Sequence, residues 1–108
     1  MTQPSSGPAR HERPDIDSLA LAVARDVERL LEGAREGGSS RWQEFLAPLP
    51  DLLRDGTLAD LRRSARRARA AYGPKDSIRD ALPGPAAEAL LDGLDRLLRA
   101  LAREELAP

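Results

Sequence analysis

The chain of 108 residues has no cysteine, one lysine, one histidine and only three aromatic residues, Trp42, Phe45 and Tyr72. Each scarcity closes off a class of chemistry. Without cysteine there is no disulfide, no thiolate nucleophile and no cysteine-ligated metal. The single histidine, His11, lies in an N-terminal stretch that also holds Pro4, Pro8 and Pro14, where nothing fixes the geometry a general base requires. Two valines and two isoleucines leave strands short of the residues they favour. No run approaches the roughly 18 apolar residues of a membrane span, and the opening MTQPSSGPARHERPD lacks the apolar segment of a secretory signal. A cytoplasmic location is the expectation that follows.

What the chain does have is leucine, alanine and charge. There are 18 leucines and 18 alanines, and 17 basic residues stand against 18 acidic ones for a formal net charge of −1. That overall balance favours neither nucleic acid nor a membrane surface. The predominance of arginine over Lys75 reads as a compositional habit. A chain of this length makes one domain and buries about two-thirds of the surface its unfolded form exposes.

The leucines fall at helical spacing, and the fold class they predict is all-α: a small bundle of three principal helices over about 15–36, 58–72 and 85–106, plus short helical turns. In the last helix Leu90, Leu91, Leu94, Leu97, Leu98 and Leu101 share an arc of roughly 120°, wider than a coiled-coil seam. The first helix has a matching stripe, Ile16, Leu19, Ala20, Val23, Val27, Leu30, Leu31 and Ala34, and ends at Gly37-Gly38. Residues 1–14 read as a flexible tail, because they hold almost nothing apolar to repay ordering. A single helical domain then spans 15–107.

Between the long helices the chain is broken into pieces. Ser40 and Gln43 fit a capping box before Trp42, Phe45 and Leu46, and Pro48 and Pro50 limit that element to about two turns. Trp42 and Phe45 at i, i+3 suit either a plug over one end of the bundle or the floor of a ligand pocket. Residues 51–55 suggest a single turn stopped at Gly56, and Thr57 is a good N-cap for the helix behind it. That middle helix has a narrow seam of Leu58, Leu61, Ala65, Ala68 and Tyr72, ended by Gly73 and Pro74. Residues 75–82 allow a further turn. In the last helix Gly93 is a weak point unless a neighbour packs closely against it.

Chemistry is concentrated in the middle helix. Arg62, Arg63, Arg66, Arg67 and Arg69 face only Asp60, for a local charge of +4 in a chain of net −1. Such a helix can neutralise phosphates or meet an acidic protein surface. No aromatic residue alternates with these arginines and no Asn or Gln stands among them to read bases, so protein is the favoured partner. The acidic pairs Asp51/Asp55 and Asp76/Asp80 have no histidine beside them, and no glycine-rich phosphate loop is present. No cofactor, metal site or catalytic group is expected.

The segment LLRDGTLADL, residues 52–61, resembles a stretch in small helical proteins that accompany formate-dehydrogenase-type enzymes. The likeness covers ten residues, implies a larger enzyme subunit as partner, and carries over no residue role. The sequence thus predicts a non-catalytic helical protein–protein interaction module, an accessory or regulatory subunit or a homodimer. Its expected partner-binding residues are Arg62, Arg66 and Arg69, which would steer an acidic partner, with Leu90 and Leu97 at the edge of the core or an interface. Leu94 and Leu98 are the expected core. A nucleic-acid binder using the 58–72 helix is the alternative, and ligand binding between Trp42, Phe45 and Tyr72 a third possibility.

Overall fold

Helix α1, Pro14–Glu36, starts at a proline whose missing N–H costs nothing there, with Asp15 and Asp17 at the positive end of the helix dipole. It stops at Gly37, and Gly38 takes the left-handed conformation, φ 71°, that turns the chain away. Then follow α2, Ser40–Leu46, and α3, Leu49–Asp55, then α4, Leu58–Ala70, α5, Ile78–Ala81, and α6, Pro85–Leu106. This computed structural model describes residues 10–73 and 77–106, though not the side chain of Leu106. Among them the fold is all-α, and the three longest helices are the three expected from the periodicity.

Side-chain links fix the topology. Arg13 at the start of α1 donates to Glu104 near the end of α6 at 2.7 Å, and Gly93 of α6 lies against Val23 and Asp26 of α1. The two long helices are therefore antiparallel. Arg62 reaches Glu105, while the Tyr72 hydroxyl donates to the Ala87 carbonyl at 2.6 Å, so α4 also runs antiparallel to α6 and parallel to α1. On the other side of α1, Arg54 of α3 meets Glu28.

Three details differ from the sequence-based reading. Residues 1–9 of the expected tail lie outside the described residues, but its last part is built into the fold. Arg10–Glu12 form a 3-10 turn, and Arg10 donates to Asp17 at 2.7 Å and to the Gly56 carbonyl at 2.9 Å. Second, α2 is capped from Ser39 without a side-chain hydrogen bond, so the expected Ser40–Gln43 box does not form. The box that does form belongs to α4: the Asp60 N–H donates to Thr57 Oγ1 at 3.1 Å and the Thr57 N–H to Asp60 Oδ2 at 3.0 Å. Third, α4 ends at Ala70, ahead of Gly73.

The largest consequence comes from the short helices. Trp42, Leu46, Leu49, Pro50 and Leu53 of α2 and α3 are buried, and with α6 these helices cover the apolar stripe of α1. At about 1.5–3 kcal/mol per fully buried large aliphatic side chain, Leu46, Leu49 and Leu53 give this pair of short helices more apolar burial than α4, whose one large buried side chain is Leu61. The broad stripes are closed within one chain. The only large apolar residues left exposed among the described ones are Leu21 and Leu52, at 37% and 41%.

Candidate functional site

The five arginines of α4 fall into two sets according to what the helix packs against. Those on the α6 flank find carboxylates there. Arg62 pairs with Glu105, Arg66 approaches the same carboxylate at 3.7 Å, and Arg69 donates to Asp95 at 2.8 Å. The acidic surface that Arg62, Arg66 and Arg69 complement is thus this chain's own last helix. Arg62 is the most enclosed of them, with 24% of its side chain exposed, whereas Arg66 keeps 65%. Arg62 and Arg69 are structural ties, although Arg69 keeps 42% of its side chain exposed, and Arg66 has the longest reach toward solvent.

Leu90 and Leu97 correct the sequence-based reading in the same way. Both are fully buried, as are Leu94 and Leu101, while Leu98, expected in the core, is only partly covered at its edge. The reason is the angle at which α6 is held. With α1 on one side and α4 on the other, the centre of the leucine arc falls at positions 90, 94, 97 and 101. Leu91 and Leu98 are left at the margin.

Outward on α4 the picture differs. Its exposed residues are Ala59, Arg63, Arg66, Arg67 and Ala70. Arg63 lies 3.6 Å from Asp60, one turn away, and remains 77% exposed. Arg67 crosses to α2, where its guanidinium carbon sits 5.3 Å from the centre of the Phe45 ring. Phe45 meets Trp42 edge to face at 5.6 Å, and Arg41 lies over Trp42 at 5.0 Å. Two exposed arginines from different helices are therefore braced on one aromatic pair. The sequence contained half of this signal, since Trp42 and Phe45 are about one helical turn apart and Arg41 adjoins Trp42. That Arg67 would arrive above Phe45 depends on how α4 meets α2.

Tyr72 does not join Trp42 and Phe45 in a shared ligand floor, because its hydroxyl is committed to Ala87 and its phenol is pushed up by burial first and by Glu88 second. Asp26, with 17% of its side chain exposed beside Gly93, has its carboxyl raised by burial, against the pull of Arg29 at 3.6 Å. Glu28 is held down by the hydrogen bond from Arg54, Glu88 by that from Arg79, and Asp60 by the Thr57 backbone N–H. Among the described residues no three His, Asp or Glu side chains converge to hold a metal ion. Asp76 lies outside them, His11 has 84% of its side chain exposed, and among the described residues no helix is long and apolar enough to cross a membrane.

One groove, of about 530 Å³, opens between α1 and the α2–α3 pair. Leu31, Ala47 and Pro50 contribute its apolar wall, and Arg25, Arg29, Arg35 and Arg54 outnumber Glu28, Glu32 and Asp51 at its rim. Sequence reading missed it because it exists only where α3 lies beside α1. No family model, curated protein or solved structure matches the chain. The ten-residue likeness noted above falls on the α3–α4 corner, where a Cβ at Gly56 would stand 2.3 Å from the Leu52 carbonyl oxygen. The residues that carry it, Gly56, Thr57 and Asp60, are those this corner needs for its own geometry.

Proposed function

We propose that the chain is a non-catalytic helical interaction module, a small accessory subunit that receives a helix of a larger protein in the groove between α1 and α2–α3. The observation that carries this reading is the composition of the groove. Ala47 is exposed over a floor made by the buried Leu31 and Pro50, which suits one small aliphatic side chain, and four arginines stand at the rim with Glu28, Glu32 and Asp51. Arg25 and Arg35 make no ion pair among the described residues, whereas Arg54 is occupied by Glu28. Glu32 and Asp51 make no such pair either, and Arg29 lies 3.6 Å from Asp26, so the partner helix is amphipathic with charges of both signs on its flanks. Homodimerisation loses its motive, because the leucine stripes that called for a second chain are covered within this one.

The test replaces Ala47, which is exposed and lines the groove, by Arg, and in a second variant reverses Arg25 and Arg35 to Glu. Both variants keep the core intact, so helicity and melting temperature stay near wild type. Quantitative affinity capture from the source cells then compares the proteins retained. The proposal expects a defined partner held by wild type and lost by both variants; an unchanged set of retained proteins refutes it. Light scattering at low and high salt accompanies it and expects a monomer.

A further inference from the structure

We infer that the outward face of α4, continued by Arg41 on α2, binds the phosphate backbone of nucleic acid without reading its sequence. This surface is separate from the groove and does not depend on it. The exposed residues of α4 are three arginines and two alanines, so the face has charge and no large exposed apolar side chain. A docking site for an acidic protein ordinarily has a dry centre of aromatic or large aliphatic side chains ringed by charge. Here that centre is missing, and a phosphodiester chain does not require one.

The geometry suits phosphates in two further respects. Arg63 precedes Arg66 and Arg67 by three and four residues, which separates them by about 4.5 and 6 Å along the helix axis. Ala59 and Ala70 let a backbone approach closely between them. Arg67 and Arg41 are held by Phe45 and Trp42, so less rotamer freedom is lost when their forks engage an anion. Two acids lie close, Asp60 at 3.6 Å from Arg63 and Glu105 at 3.7 Å from Arg66, so these two exposed guanidiniums would exchange a carboxylate for a phosphate, whereas Arg67 and Arg41 make no ion pair among the described residues. No Asn or Gln lies on α4 to contact base edges, hence binding without sequence preference.

The experiment is fluorescence anisotropy of the full chain against a labelled duplex of about 20 base pairs. Four neutralised phosphates predict a log–log salt slope of about −3.6, an affinity loss of about 150-fold between 50 and 200 mM salt. R63Q/R66Q/R67Q should bring the slope to about −0.9, and Arg63→Gln alone should make it shallower by about 0.9 while leaving the aromatic contacts untouched. An R99Q/R103Q variant of α6 should leave the slope unchanged. Trp42, the one tryptophan, lies under Arg41 and should change its emission on binding. A slope shallower than about −2, a triple variant that binds as wild type does, or tighter binding to an oligoglutamate of equal charge would overturn the proposal, the last in favour of an acidic protein.

Discussion

Gly93 sits in the interior of α6, where glycine is about 1 kcal/mol less favourable than alanine, so Gly93→Ala ought to stabilise the protein if propensity alone decided. The structure reverses that expectation. A Cβ at position 93 would lie 3.2 Å from Val23 Cγ2 and 3.4 Å from Asp26 Oδ2. The Asp26 carboxylate can swing aside, but Val23 is completely buried and its branched side chain has one strongly preferred rotamer in a helix. Relief must come from shifting α1 against α6, and overpacking of this kind costs about 1–3 kcal/mol. The net expectation is destabilisation of up to about 2 kcal/mol, read from urea unfolding followed by circular dichroism. Val23→Ala removes the obstructing methyl groups at a cost of its own, and in that background Gly93→Ala should become stabilising by about 1 kcal/mol. The double-mutant cycle isolates the contact. A coupling energy near zero, with Gly93→Ala equally favourable in both backgrounds, would refute the close approach of the two helices.

Other perturbations test the core and its buried polar groups. Leu97→Ala removes a fully buried side chain and should cost about 2–5 kcal/mol, and Leu97→Asp should unfold the protein; a folded Leu97→Asp variant would return that residue to an interface. Tyr72→Phe gives up the 2.6 Å bond to Ala87 and should cost about 1 kcal/mol. Because the Tyr72 phenol is raised, the folded state holds its proton more tightly, so stability falls as pH rises above the ordinary phenol value; tyrosinate absorbance should appear together with unfolding, not before it. Asp26 is raised in the same sense by burial, so its charged form opposes folding. Asp26→Asn should be more stable than wild type at pH 7, with the difference shrinking as pH falls through the carboxylate range; constant stabilisation down to pH 3 would refute burial as the cause.

The helices themselves were legible because helix periodicity is a local property. The leucine arc of 90–101, the stripe of 16–34 and the alanine seam of α4 each lie within about twenty residues, and each names a buried face before any partner is known. Thr57 with Asp60, and Pro14 and Pro85 at helix starts, are likewise readable from neighbours in the chain. Harder to see were α2 and α3. At seven residues each they look like turns, yet between them they cover part of the apolar stripe of α1.

Pairing across helices is where local pattern gave out. That Arg62 and Arg69 would meet Glu105 and Asp95, while Arg67 would lie over Phe45, follows from the approach of segments twenty or more residues apart. An arginine-rich helix looks the same in sequence whether its charge is spent on its own chain or offered to another. The sequence by itself determined the all-α class, the three long helices and the apolar face of each, since hydrophobic spacing selects a face without reference to its neighbour. Only the tertiary structure decided which leucines lie at the centre, which arginines remain open and where a groove exists, because those depend on the rotation and offset at which the helices pack.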